Sequence, residues 1–358
     1  GRRRSAPASG RQRLAAPAGM TDISAQVTAA MQLALDQAQA VKGSTYPNPP
    51  VGAVILTSDG DIAGVGATLP VGGAHAEVVA LRAAGDRAFG GTAVVTLEPC
   101  NHHGRTPPCV DALLAAGITA VVYAVDDPNA AAAGGAGRLR SAGVAVTGGV
   151  SAKEVSGGPL REWLHKQRTG TPHVTWKFAT SIDGRSAAAD GSSQWITSAA
   201  ARADLHRRRA AADAIIVGTG TVFADNPSLT ARLPDGSLAP QQPLRVVVGE
   251  REISPESTVL SSDSATLLLR TRDPVEVIRA LAERTDILLE GGPTLAGAFL
   301  RAGVVHRILA YVAPILLGGP VTAVDDVGVA SIASALRWNY DGVQRIGPDL
   351  LLSLVPGG

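Results

Sequence analysis

Cys100 and Cys109 are the only cysteines in the 358-residue chain, and eight residues separate them. So few thiols cannot build a disulfide framework, so the fold must rest on a hydrophobic core of its own. In a reducing compartment, two nearby thiols serve a metal more readily than a bridge. His75 and Glu77 lie upstream, and Pro99 stands directly before the first thiol. A fold that uses His75, Cys100 and Cys109 as ligands has to bring those three positions to one point.

The chain length predicts two domains. Apolar residues make up 45% and charged residues 18%, a globular balance. Aromatics are only 3%, so the core has to be built from Ala, Val, Leu and Ile. The longest apolar run, residues 308–317, contains Pro314 and falls well short of the ~18 residues that would cross a bilayer. Five arginines and no acid fall in residues 1–19. The rest of the chain carries 27 basic and 31 acidic residues, so nothing in it calls for nucleic acid. Residues 1–19 lack an apolar signal core and read as a disordered tail or an extension ahead of a helix that starts near Met20.

Ile23, Val27, Ala30, Met31, Ala34 and Ala38 recur at helical spacing, and Gly43 is a natural stop. Segments 51–56 and 62–67 flank Ser58-Asp59-Gly60 as a hairpin. A helix is expected from about His75, a buried strand at 93–97, a helix at 110–116 and a strand at 119–125. A weaker helix and strand follow to about Val146. The order α-β-β-α-β-α-β-α-β is a layered α/β domain. Gly148, Gly149, Gly157, Gly158 and Pro159 mark a break, in which Trp163 predicts an ordered connection. A second α/β unit follows. Its expected strands are 174–178, 214–217, 245–248, 266–269, 287–289, 307–312 and 350–354. Its expected helices are 199–210, 274–283 and 294–301.

Zinc takes nitrogen and sulfur ligands, and a catalytic site uses three of them, leaving one position open. His75, Cys100 and Cys109 supply that count. Glu77 lies two residues from His75 and suits a proton carrier beside the metal. His-x-Glu followed by Pro-Cys and a second Cys, with the glutamate off the metal, is the arrangement of zinc nucleobase deaminases. Two plainer readings stand beside it: inert buried thiols, or a structural zinc with His102 or His103 as fourth ligand. An unliganded Glu77 favours catalysis.

The string TLEPCNHHGRTPPC, residues 96–109, resembles the bifunctional riboflavin biosynthesis deaminase/reductase family. Its long cysteine loop separates that family from cytidine and tRNA-adenosine deaminases. Residues 46–52, Tyr-Pro-Asn-Pro-Pro-Val-Gly, are similar to the family's segment upstream of the histidine. The resemblance implies that Asn48, His102 and Arg105 contact the deaminase substrate, and a guanidinium suits its phosphate. One departure is that Asp127-Pro128-Asn129 continues into Ala130–Ala133 and a glycine-rich stretch, which puts any substrate contact from that loop in question.

No dinucleotide GxGxxG is present, since Gly64-Val65-Gly66 and Gly218-Thr219-Gly220 lack the third glycine. The strand at 287–289 instead runs into EGGPTLAG, residues 290–297, an ordinary strand-to-helix turn that can also approach an anion. KFATSIDGR (177–185), SSQWITS (192–198) and VFADNPSL (222–229) resemble the reductase half of the same family. That half is similar to dihydrofolate reductase and uses NADPH. The resemblance implies cofactor contacts at Ala179, Trp195, Thr221, Asp225, Gly292, Pro293, Thr294, Leu295, Ala296, Gly297 and Ala298. It implies substrate contacts at Ser193, Arg209, Leu229, Arg232 and Glu290. Lys177 lies on a strand within reach of the cofactor, and no residue is identified as the proton donor.

The expected fold is therefore α/β: a cytidine-deaminase-like three-layer α/β/α domain (20–148), an ordered connector (149–171) and a dihydrofolate-reductase-like domain (172–358). The implied reactions are zinc-dependent deamination of a diaminopyrimidine ribosyl phosphate, followed by NADPH-dependent reduction of its ribosyl group. One zinc per chain, small-molecule substrates, no nucleic acid, no membrane, a homodimer or higher homo-oligomer and a cytoplasmic location complete the expectation. The rivals are another zinc nucleobase or nucleoside deaminase fused to a reductase-like domain, and a zinc-bound scaffold that only binds ligands.

Overall fold

The structure is a computed structural model and describes residues 18–102 and 107–357. The N-terminal unit runs α1 (Ala18–Ala40), β1 (Gly52–Leu56), β2 (Ile62–Ala67), α2 (Ala76–Ala84), β3 (Thr92–Leu97), α3 (Cys109–Ala115), β4 (Ala120–Val125), α4 (Gly135–Ser141) and β5 (Ala145–Thr147). Its strands form one sheet in the order β2-β1-β3-β4-β5. The β1–β2 and β1–β3 pairs are antiparallel, and β3–β4 and β4–β5 are parallel. Helix α1 begins two residues inside the segment read as tail, and residues 1–17 lie outside the described residues.

Glycines decide how this unit layers. A Cβ at Gly52 on β1 would lie 1.8 Å from the Ala34 carbonyl oxygen, so α1 lies directly against that face. On β2, a Cβ at Gly64 or Gly66 would lie 2.2 Å from Ala80 O or 2.5 Å from Ala76 O, both on α2. Gly66 pairs with Ala53 and Gly64 with Ile55. Alternation along a strand therefore puts α2 on the face opposite α1. Three layers result, with Ala30, Met31, Ala34, Val54, Ile55, Ala80 and Val94 buried between them.

The segment between the two sheets is helical. It forms α5 (Ala152–Ser156) and α6 (Arg161–Thr169), with Trp163 and Leu164 buried. The C-terminal unit runs β6 (His173–Ser181), α7 (Ala199–Ala211), β7 (Ala214–Gly218), α8 (Thr219–Asp225), β8 (Leu244–Val248), β9 (Thr266–Leu269), α9 (Pro274–Ala280), β10 (Asp286–Leu289), α10 (Pro293–Arg301), β11 (Arg307–Ala313), β12 (Trp338–Ile346) and β13 (Asp349–Pro356). These eight strands form one sheet in the order β12-β13-β11-β6-β10-β7-β8-β9. Two elements here were not anticipated. Strand β12 is exposed along nearly its whole length, so it carries no inside–outside alternation. Helix α8 holds Thr219, Gly220, Thr221 and Val222 in its first turn, all poor helix formers. The helix expected over 274–283 ends at Ala280.

Candidate active sites

Three ligand atoms converge where the sequence required it. His75 sits at the N-cap of α2, Cys100 follows β3, and Cys109 opens α3. His75 Nδ1 lies 3.2 Å from Cys109 Sγ and 3.5 Å from Cys100 Sγ. Zinc bonds of about 2.3 Å to sulfur and about 2.0 Å to nitrogen place tetrahedral ligand atoms about 3.6 Å apart, so the donor set fits. The Cys109 backbone N–H donates to Cys100 Sγ at 3.3 Å. A hydrogen bond from the Cys109 thiol holds the Cys100 thiol down at about 4, despite burial. That same bond, with burial, pushes Cys109 far up. Both residues are free cysteines.

Glu77 lies in the first turn of α2 and is buried. Burial is the main force raising its carboxyl to about 7, with the Cys100 charge adding to it. His75, Cys100 and Glu77 line a cavity of about 400 Å³, with Cys109 buried behind them. Asn48 and His102 line it, and His102 Nδ1 is buried without a hydrogen-bond partner among the described residues. Arg105 and His103 fall outside the described residues.

Asp127, Asn129, Trp163 and Gln167 also line this cavity, and none of the four was read from the sequence as a site residue. The first two belong to the loop whose alanines depart from the family pattern. Glu98 holds that loop, accepting the Asp127 N–H at 3.2 Å and the Ala136 N–H at 2.9 Å. Glu98 stands inside the quoted string, so its buried carboxylate was the one signal available. Nothing local reveals that Trp163 and Gln167, on α6, reach a cavity built around residue 75.

A second cavity, of about 1210 Å³, lies where the parallel strands β7, β8 and β10 end. Open α/β sheets bind ligands at such carboxyl ends. Its volume exceeds the several hundred Å³ of a single small-ligand pocket, leaving room for a dinucleotide and a sugar phosphate together. Ala179, Ser193, Trp195, Thr221, Asp225, Leu229, Arg232, Gly292, Pro293, Thr294, Leu295 and Ala298 all line it. Two members of the expected run do not. Ala296 is fully buried in the core, and a Cβ at Gly297 would lie 2.6 Å from Asp326 O. Helix α10 turns both positions away from the cavity.

Trp195 is exposed, not core, and its ring carries the Arg202 guanidinium at 4.5 Å. Leu229 adopts φ 54° with its side chain buried, which leaves only its backbone for a ligand. Arg209 and Glu290 both face the cavity but hold each other. Nε and Nη2 of Arg209 donate to Oε1 and Oε2 of Glu290 at 2.8 and 2.9 Å. Burial raises the Glu290 carboxyl, yet Arg209 and then Lys177 outweigh it and keep it below the usual range. Burial holds Lys177 below the ordinary lysine value, and its ammonium lies 3.9 Å from Glu290. Arg232 is exposed and donates to Gly236 O at 2.8 Å.

Comparison with known proteins agrees with both cavities. Residues 24–125 match the cytidine and deoxycytidylate deaminase zinc-binding region, and residues 172–352 match the RibD C-terminal domain. The riboflavin biosynthesis protein RibD of Mycobacterium tuberculosis is 71% identical over 326 residues, covering 91% of this chain and 96% of that protein. The solved Acinetobacter baumannii RibD is 36% identical with a TM-score of 0.82, covering 93% of this chain and 99% of that one. A solved diaminohydroxyphosphoribosylaminopyrimidine deaminase/5-amino-6-(5-phosphoribosylamino)uracil reductase from Thermotoga maritima has a TM-score of 0.84 at 28% identity, covering 93% and 99%. With a zinc-type deaminase site on one sheet and a reductase cavity on the other, the chain belongs to the RibD family of bifunctional deaminase/reductases of riboflavin biosynthesis.

Proposed function

We propose that this chain deaminates 2,5-diamino-6-ribosylamino-4(3H)-pyrimidinone 5′-phosphate and then reduces the ribosyl group of the product. The carrying observation for the first step is the buried Glu77 beside the His75–Cys100–Cys109 triad, at the wall of one cavity. His75, Cys100 and Cys109 would hold zinc, which supplies Lewis-acid activation of water near neutral pH. Water adds at the ring carbon that bears the exocyclic amine, ammonia leaves, and a carbonyl remains. Glu77 takes a proton from the attacking water and delivers it to the ring nitrogen, then takes the second proton from the hydroxyl of the adduct and delivers it to the leaving amine. Asn48 and His102 orient the pyrimidine, the Nδ1 of His102, without a partner among the described residues, being a group that a ligand can satisfy. Arg105 is assigned to the phosphate.

For the second step, NADPH would lie along Ala179, Trp195, Thr221, Asp225 and the turn from Gly292 to Ala298, and it supplies the hydride to the sugar C1′. Ala296 and Gly297 act in that turn only by packing. Ser193 and Arg232 meet the sugar phosphate, with the Leu229 backbone beside them. Glu290 accepts from sugar hydroxyls, and Arg209 fixes its orientation. The proposal divides the chain into a deaminase domain (20–148), a connector (149–171) and a reductase domain (172–358). It also includes assembly as a homo-oligomer and a cytoplasmic location, whose reducing conditions suit thiols committed to a metal.

Incubating the protein with the diaminopyrimidine phosphate, with and without NADPH, tests both steps. Without NADPH, the product should gain 1 Da from exchange of the amine for a carbonyl; with NADPH, a further 2 Da. Unchanged substrate in the first reaction would reject the deaminase assignment. Product arrested at the first mass in the second would reject the reductase assignment.

A further inference from the structure

Two walls of the deaminase cavity are held from outside the deaminase unit. One is the segment that carries Pro47, Asn48 and Pro49, and the other is α6, through Trp163 and Gln167. Residues 163 and 167 are four apart, so they share a helix face toward the cavity. Residues 162 and 166 share the adjacent face, and both bind elsewhere. Lys166 Nζ donates to Ala282 O and Arg284 O, each at 2.7 Å, on the turn after α9. Glu162 Oε2 lies 2.7 Å from Lys42 Nζ, and the same ammonium lies 3.3 Å from Asp286 Oδ2 on β10.

This ion triplet is closed to water, with side-chain exposures of 11, 2 and 10% for Lys42, Glu162 and Asp286. Burial opposes charge at both acids. At Glu162 the Lys42 ammonium prevails and keeps the carboxylate ionised, while burial pushes Asp286 up to about 7. Lys42 stands five residues before Pro47, so one ammonium anchors both cavity walls to a reductase strand. Its neighbour Gly43 packs equally closely: a Cβ there would lie 2.6 Å from Ala210 O at the end of α7.

We propose that the reductase unit is a working part of the deaminase site. Asp286, Lys42, Glu162 and Lys166 are positioning residues that set the Trp163–Gln167 face of α6 and the 47–49 segment against the deaminase substrate. Gln167 is exposed while Glu77 and Cys109 are buried. The pyrimidine therefore enters toward Glu77, and the ribosyl phosphate end meets the Gln167 amide at the rim. This inference rests on the deaminase assignment above.

The test uses the full-length zinc-loaded protein, with Asp286→Asn, Lys166→Ala, Lys166→Arg and Gln167→Ala, assayed for ammonia release from the diaminopyrimidine phosphate. Misplaced substrate contacts raise KM before they touch the chemical step, so Asp286→Asn, Lys166→Ala and Gln167→Ala should each raise the deaminase KM about three- to tenfold with kcat within about twofold. Zinc content and the reductase constants of the same preparations should match the parent, and Lys166→Arg, which keeps a donor, should restore the parent KM. A parent-like deaminase KM in both Asp286→Asn and Lys166→Ala overturns the inference. So does an equal fall of both activities, which would report lost folding, not positioning. Absence of ammonia release from the parent itself would remove the deaminase assignment, and this inference with it.

Discussion

Glu77 shows how burial makes an ordinary side chain reactive. It is enclosed, and a carboxyl raised by burial beside a candidate metal site is suited to carry a proton back and forth. Glu77→Ala should keep zinc, because none of the three ligand atoms is removed, yet lose about 10²–10⁴ of the ammonia-release rate. Metal analysis and an ammonia assay on one preparation check both halves. In the other cavity, charge pairing separates two arginines that look alike in sequence. Arg209 is spent on Glu290, whereas the exposed Arg232 gives one bond to a backbone carbonyl. Arg232→Ala should therefore weaken the sugar phosphate by about 1.5–3 kcal/mol, the value of a hydrogen bond to a charged group, and leave NADPH affinity near the parent's. Titration with each ligand separately decides it, and equal losses for both would refute the phosphate role.

At the scale of elements, close backbone approach matters more than propensity. Gly52 admits α1 to one face of the first sheet, and Gly64 and Gly66 admit α2 to the other. Gly52→Val puts branched carbon where a carbonyl oxygen already lies 1.8 Å from a Cβ. Overpacking of this kind should cost about 1–3 kcal/mol or more, read as a lower urea midpoint at unchanged m-value. The central strands were legible because β-branched runs such as Ala214–Gly218 and Leu244–Val248 are buried on both faces of a parallel sheet. Strand β12 was not legible, since its partner β13 recruits it through backbone pairing and its side chains stay exposed. Helix α6 illustrates the same limit. Its order was expected from Trp163, but which faces it offers to which unit depends on partners more than a hundred residues away.

Across the whole molecule, the two units meet at a junction rich in titratable groups. His165, His173 and His306 cluster with ring centroids 4.1–5.4 Å apart. Glu162, Asp286, Lys42 and Arg307 lie around them. Burial is the leading cause that lowers all three imidazoles, and His306 falls to about 4. The folded chain thus holds them neutral, while the unfolded chain binds protons below about 6.5. Their contribution is present above the unfolded value and is lost as pH falls from about 6.5 toward 4. The melting temperature should drop across that window. His306→Asn keeps an acceptor for the Val174 N–H, which now donates to His306 Nδ1 at 3.0 Å, and should flatten the drop. An identical slope in parent and variant would show that His306 carries none of it.

The sequence by itself picked out the residues of the candidate metal site and the order of most elements. Ligand identity is a property of residue type, and His75, Glu77, Cys100 and Cys109 could be read one by one; periodicity is local and needs only neighbouring residues. Most of the residues lining the larger cavity were likewise named from short strings, through the resemblance those strings carry. Only the tertiary structure decided how those residues are shared. It paired Arg209 with Glu290, turned Ala296 and Gly297 into the core, and brought Asp127, Asn129, Trp163 and Gln167 to the deaminase cavity. It also buried Lys42 between acids from the connector and the reductase sheet. Such contacts join positions far apart in the chain, and their energies arise from burial and distance, which no local pattern encodes.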